Sequence, residues 1–212
     1  MSADPRIEEF EAALIAVDRA GARRIFMRGV DTDGAIPFME QMVGPVLERI
    51  GRAWEQERLS LSQVYMAGKI CEELSLSVLP ASHPDRTNNP RVAVAVFEDH
   101  HMLGKQMVHA ILRNDGYLVQ DWGKLNLQDA MDKVRLGSVD VLLLSSLMLS
   151  SALRIEKLCG DIKNKNLPVK VLVGGAPFRF DEGLWREIGA DAMGSNASQA
   201  PGLVRGLTGG RP

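Results

Sequence analysis

The apolar residues of this chain change period near its middle, and that change constrains the fold more than any other feature. Up to about Leu79 they recur at helical spacing. Phe10, Ala13, Leu14 and Val17 form one stripe. Phe38, Met42, Val46, Ile50 and Trp54 form a second, and Val64, Ala67, Cys71 and Leu74 a third. Such stripes bury one side of a helix each, so this half reads as a small bundle of about four helices. Gly21, Gly34, Pro37 and Gly44-Pro45 punctuate them, and Leu59 to Ser62 reads as a turn with a capping serine.

Beyond the polar tract Ser82 to Pro90, short apolar runs alternate with amphipathic segments. The runs Val92 to Phe97, Tyr117 to Asp121, Val139 to Ser145, Val169 to Gly174 and Ala192-Met193 read as strands. Helices are expected near 105–114, 127–136, 150–164, 182–188 and 198–206. Five strands joined by helical crossovers give an α/β fold with a doubly wound parallel five-stranded sheet, Rossmann-like or flavodoxin-like in architecture. The expected domains are therefore 1–85, a helical cap, and 90–212, the sheet domain. The turn-forming tract Ser82 to Pro90 is the expected linker.

A length of 212 residues allows one large domain or two small ones. A net charge of −2 gives no basic field for nucleic acid or an acidic membrane surface. Cys71 and Cys159 stand apart, in no metal-like spacing, which suits a reducing cytoplasm better than a disulfide framework. The acidic, polar start does not read as a signal peptide, and no apolar run approaches membrane-spanning length.

Chemistry concentrates at Asp99-His100-His101-Met102-Leu103-Gly104, directly after the first strand. A strand that ends there and restarts as a helix puts an imidazole at the strand's carboxyl end, where ligands bind in open α/β sheets. Asp99, two residues before His101, can accept a proton from its ring and leave the other nitrogen for a metal. Ser145-Ser146-Leu147 ends the third strand and Gly174-Gly175 the fourth, on the same edge, where small residues let a bulky ligand approach the backbone. No G-x-G-x-x-G follows the first strand and there is no P-loop. A phosphate-receiving domain would need an aspartate where Ser145 stands and a lysine near Gly194 to Asn196. Zinc hydrolysis needs more convergent ligands than adjacent histidines.

The three motifs together, Asp99-x-His101-x-x-Gly104, Ser145-x-Leu147 and Gly174-Gly175, resemble in order and spacing the cobalamin-binding fold shared by methionine synthase and the corrinoid proteins of methyltransferase systems. Ile50 to Glu55 followed by Leu59 to Met66 resembles the helical cap of the methyl-carrying corrinoid proteins, so the likeness covers nearly the whole chain.

That resemblance implies that His101 is the lower axial ligand of cobalt, displacing the cofactor's own base. It places Gly104, Ser145, Leu147, Gly174 and Gly175 around the cofactor and its nucleotide tail, and Ser151 as a hydroxyl completing a proton relay with Asp99 and His101. Trp54 would touch the upper corrin face. The cofactor would be cobalamin, cycling between methylcobalamin and cob(I)alamin. The implied role is a methyl-group carrier between a substrate-specific methyltransferase and an acceptor methyltransferase, a cytoplasmic subunit that is not catalytic alone and could pair as a homodimer. The cap would swing aside at the Ser82 to Pro90 linker to serve both partners. The alternative is a cobalamin-dependent sensor acting through a partner. Gln63-Val64-Tyr65 stands where the light-sensing relatives carry a Glu-His pair, which counts against a photosensor. Arg58 and Ser62 stand near the places where the carriers commonly show Gly and Pro.

Overall fold

The computed structural model describes residues 5–78 and 87–209. The chain divides into two compact units, Met1–Leu79 and Pro80–Pro212.

The first unit is all helical. Its helices are α1 (Pro5–Ile15), α2 (Arg19–Asp33), α3 (Ala35–Phe38), a π-helical turn (Met39–Val43), α4 (Gly44–Glu55) and α5 (Leu61–Val78). Three rings, Phe10, Phe26 and Phe38, meet at centroid distances of 5.4–6.5 Å and anchor the core. Gly29 admits the third of them, since a Cβ there would lie 1.9 Å from the Phe38 ring. Gly44-Pro45 does not break the helix as the sequence suggested. Val43 and Gly44 keep right-handed helical dihedrals and the chain runs on from α3 to α4 through the wide turn. Proline has no N–H for the ladder, and a π-turn accommodates that loss without ending the helix. Ser60 caps α5 as expected. Its Oγ accepts from Gln63 N–H while Gln63 Oε1 accepts from Ser60 N–H, a reciprocal capping box. Phe38, Met42, Val46 and Ile50 are buried, but Trp54, at the end of the same stripe, is 40% exposed.

The second unit is a five-stranded parallel sheet in the order β2-β1-β3-β4-β5. The strands are β1 (Thr87–Phe97), β2 (Tyr117–Leu125), β3 (Val141–Ser145), β4 (Lys170–Gly174) and β5 (Ala192–Gly194). Between them run α6 (Leu103–Asn114), α7 (Leu127–Arg135), α8 (Leu149–Asn164), α9 (Ala176–Phe180), α10 (Leu184–Glu187) and, last, α11 (Ala200–Leu207). Alternation along β1 splits its side chains between two cores. Ala93, Ala95 and Phe97 join residues of α7, α8, α9 and α10 on one face. Val92 and Val94 join residues of α6 and α11 on the other. This is the doubly wound arrangement, and its strand order reverses between β1 and β3.

Local departures from the expected elements have local causes. β1 begins at Thr87, so Thr87 to Pro90 belong to the strand and not to a linker; Ser82 to Arg86 lie outside the described residues. β2 continues past Asp121 because a bulge absorbs an extra residue. Val94 pairs with Asp121 and Val96 with Lys124, and Gly123 takes a left-handed φ of +65° in the bulge. The helix expected at 182–188 is shortened to α10, and a separate short helix, α9, precedes it. Pro177 starts α9 straight after Gly175, and Asp181 Oδ1 then accepts from the N–H groups of Gly183 and Leu184 and turns the chain into α10.

Candidate functional site

The reversal of strand order opens a crevice at the carboxyl ends of β1 and β3, the position where doubly wound sheets bind ligands. Asp99 and His101 follow β1, and Ser145 to Leu147 end β3 on the neighbouring strand. Gly174 pairs with Ser145 at the end of β4.

Asp99 is the centre of this site. It is 2% exposed, and its carboxylate collects hydrogen bonds from the loops that follow β1 and β3. Oδ1 accepts from His100 N–H at 2.6 Å and His101 N–H at 3.2 Å, and lies 2.6 Å from His101 Nδ1. Oδ2 accepts from the N–H groups of Leu147 and Met148 at 2.8 and 2.9 Å. Burial alone would push the carboxyl pKa up, but the His101 ring and these amides outweigh it and hold the group well below the usual carboxylate range. An ionised carboxylate can only accept, so His101 Nδ1 donates to it, and in the neutral ring the lone pair lies on Nε2. The His101 side chain is 44% exposed. The contact between Asp99 and the His101 ring that the sequence suggested is therefore present.

The small residues fit closely. A Cβ on Gly104 would stand 2.6 Å from Ser145 Oγ. Gly175 has φ +118° and ψ −179°, a region that only glycine enters readily, and a Cβ there would lie 1.9 Å from the Ser146 carbonyl oxygen. Leu147, after β3, is 45% exposed, and Met148 and Leu149 beside it are also open.

Ser151 departs from expectation. Its buried hydroxyl donates to the Glu98 carbonyl at 2.9 Å, and both Asp99 oxygens take their hydrogen bonds from the His100–His101 segment and the β3–α8 loop. The expected relay from Asp99 to Ser151 is thus not formed, because the serine's single proton is committed to the backbone one residue earlier. Trp54 lies on α4, in the helical unit.

Several residues escaped the sequence reading. The Ser146 hydroxyl is buried and, among the described residues, has no hydrogen-bond partner. A second polar serine beside Ser145 was the only signal for it. Lys105, buried directly after Gly104, places its ammonium 2.6 and 2.7 Å from the two Asp121 oxygens. Burial would raise the Asp121 pKa, but Lys105 and the Gly123 N–H hold it lower. The bulge in β2 brings Lys124 Nζ to 2.9 Å from His100 Nε2, so His100 faces β2, away from the Asp99 carboxylate. Among the described residues no three His, Cys, Asp or Glu side chains converge on a point that could hold a metal ion. A metal on His101 therefore needs a group that brings its remaining ligands.

Comparison with known proteins agrees with this geometry. Residues 90–203 match a family model described as a B12 binding domain, and residues 6–75 match a second model of that description. The chain is 28% identical over 178 residues to dimethylamine corrinoid protein 2 of Methanosarcina acetivorans, covering 80% of this chain and 81% of that protein. It is 24% identical over 218 residues to dimethylamine corrinoid protein 1 of Methanosarcina mazei, covering 99% of each. The solved structure of the Methanosarcina barkeri monomethylamine corrinoid protein superposes with a TM-score of 0.77 at 22% identity, covering 97% of this chain and 100% of that one. That likeness shows a shared fold.

Proposed function

We propose a function from one premise: the chain belongs to the B12 binding domain family. Its cofactor is cobalamin, and within that family we read it as a corrinoid methyl carrier. It would take a methyl group from a substrate-specific methyltransferase and yield it to an acceptor methyltransferase. The curated relatives named above, corrinoid proteins of methylamine systems, support this reading along almost the full chain.

The observation that carries it is the Asp99–His101 pair at the point of strand reversal, with no hydrogen bond to Nε2 among the described residues. The residues present fit the cofactor. A lone histidine suffices for a metal that arrives inside a macrocycle, the buried Ser146 hydroxyl has no hydrogen-bond partner among the described residues, and Gly175 lets its backbone pack directly against Ser146 at the same edge. His101 would ligate cobalt through Nε2. Ser145, Ser146, Leu147, Gly174 and Gly175 would line the space for the nucleotide tail, with Gly104 opening the turn beneath it.

When bound, cobalamin supplies a cobalt centre able to accept and release a methyl group. The chain's own part is orientation and proton holding. Asp99 fixes the ring and keeps Nδ1 protonated. The same carboxylate would stabilise an imidazolium form of the ring. Leu147, Met148 and Leu149 present apolar side chains beside this edge. No helix among the described residues is long and apolar enough to cross a membrane. Buried, unpaired Cys71 and Cys159 suit a reducing cytoplasm.

The test is cobalamin uptake with displacement of the cofactor's own base. The Co(II) form should show hyperfine coupling to a histidine nitrogen in electron paramagnetic resonance, lost in His101→Ala. An unchanged spectrum in that variant refutes the ligand assignment. Failure of the reduced protein to take a methyl group from any candidate methyltransferase refutes the carrier role and favours sensing.

A further inference from the structure

Four non-glycine residues among those described have positive φ. Val17, Glu57 and Asn166 each follow the end of a helix, where a left-handed cap is ordinary. Glu98, at φ +46°, follows a strand and immediately precedes Asp99. A residue with a Cβ resists this conformation by roughly fivefold to thirtyfold in the local equilibrium, so something must hold it.

Three contacts do so. The Glu98 N–H donates to the Leu125 carbonyl of β2 at 2.8 Å. Its carbonyl accepts from Ser151 Oγ at 2.9 Å, and its carboxylate pairs with Arg154 at 2.9 Å. Ser151 and Arg154 both stand on the first turns of α8, the helix that opens just after Leu147 and Met148. The same short stretch of chain therefore holds Asp99 through two amides and the preceding residue through a hydroxyl and a guanidinium. Were Glu98 to relax to an extended or right-handed backbone, its carbonyl would swing off Ser151. The Asp99 carboxylate would then leave the loop amides and lose its hold on His101.

We propose that Ser151, assisted by Arg154, is a positioning residue that keeps Glu98 in its left-handed conformation and thereby aims the Asp99–His101 pair. This rests on the reading of His101 as the functional imidazole, though it concerns the protein before any cofactor binds. Ser151 contributes the larger share, since its hydroxyl is buried whereas the Arg154 side chain is 62% exposed and its ion pair is weakened by water.

The test measures exchange of the His101 Nδ1 proton in the cofactor-free protein by nitrogen-labelled NMR, with the backbone amides of β4 as a remote control. Ser151→Ala should speed that exchange by about fivefold to thirtyfold while the β4 amides stay within about twofold of wild type. Glycine adopts φ +46° without steric penalty, so Glu98→Gly combined with Ser151→Ala should return the exchange to within about twofold of wild type. In cobalamin-loaded protein, the fraction of Co(II) showing histidine coupling should fall and recover in the same order. If the loss persists in the double variant, Ser151 acts directly on Asp99 and the proposal is overturned. If Ser151→Ala alone does not fold, Ser151→Thr and Ser151→Val are compared in the Glu98→Gly background. Equal exchange supports the proposal, and a continuing need for the hydroxyl overturns it. Wild-type protein that takes up no cobalamin defeats the functional reading and leaves the exchange comparison standing.

Discussion

Replacing Asp99 by Asn gives the sharpest test of what holds the site together before cofactor binds. The carboxylate serves two groups of donors, His100 and His101 on one oxygen and the Leu147 and Met148 amides on the other. Asparagine offers one accepting oxygen and one donating amide, so one group must lose its acceptor and face a donor instead. Each hydrogen bond to a charged group contributes about 1.5–3 kcal/mol, and two are lost. Leu147 and Met148 are partly open to water, which can satisfy part of the loss, so the lower end applies. The expected cost is about 3 kcal/mol, or about 6–12 °C in melting temperature for a chain of this size. A Trp54→Phe background leaves Trp122 and Trp185 to report unfolding of the sheet unit alone. The pH dependence follows from the depressed Asp99 pKa. The unfolded carboxyl takes a proton near pH 3.9, and the folded one holds out to lower pH. Wild type therefore keeps this stability above about pH 4 and loses it as pH falls toward the folded value, while Asp99→Asn has none to lose. The two stability curves should converge below about pH 4. A difference under about 1 kcal/mol at pH 7, or a gap that stays constant on acidification, would refute the reasoning.

Gly175→Ala should destabilise the protein by about 3 kcal/mol in urea unfolding, through a forbidden backbone and a clash with Ser146 that only main-chain movement relieves. Gly104→Ala should stay within about 1 kcal/mol of wild type, because the Ser145 hydroxyl can rotate away and alanine favours the helix; equal costs for the two would contradict the geometry. Val17→Gly, at φ +57° in the turn after α1, should raise stability by about 1 kcal/mol, read as a rise in melting temperature of about 2–4 °C. Burial lowers the His109 pKa despite the nearby Asp121, so the unfolded state binds its proton first and stability falls as pH drops below about 6.5. His109→Gln should flatten that limb of the stability–pH profile, and an unchanged slope would show that His109 is not its source.

The sequence by itself determined most of the elements and the proximity of Asp99 to His101. Apolar periodicity is a local property, so the helical stripes, the strand runs and their alternation could be read without knowing what packs on what. Asp99 and His101 are two residues apart at the end of a strand, so their proximity could be read from local spacing alone. What only the tertiary structure decided are the partners brought from far along the chain. Ser151 reaches the Glu98 carbonyl across 53 positions, and the Leu147 and Met148 amides reach Asp99 across 48 and 49. Lys105 finds Asp121 only because α6 packs beside β2, and Lys124 finds His100 only because a bulge shifts the register. A hydrogen bond is satisfied or lost over a few tenths of an ångström, and that distance is set by strand register and backbone dihedrals such as that of Glu98, not by the spacing of residue types.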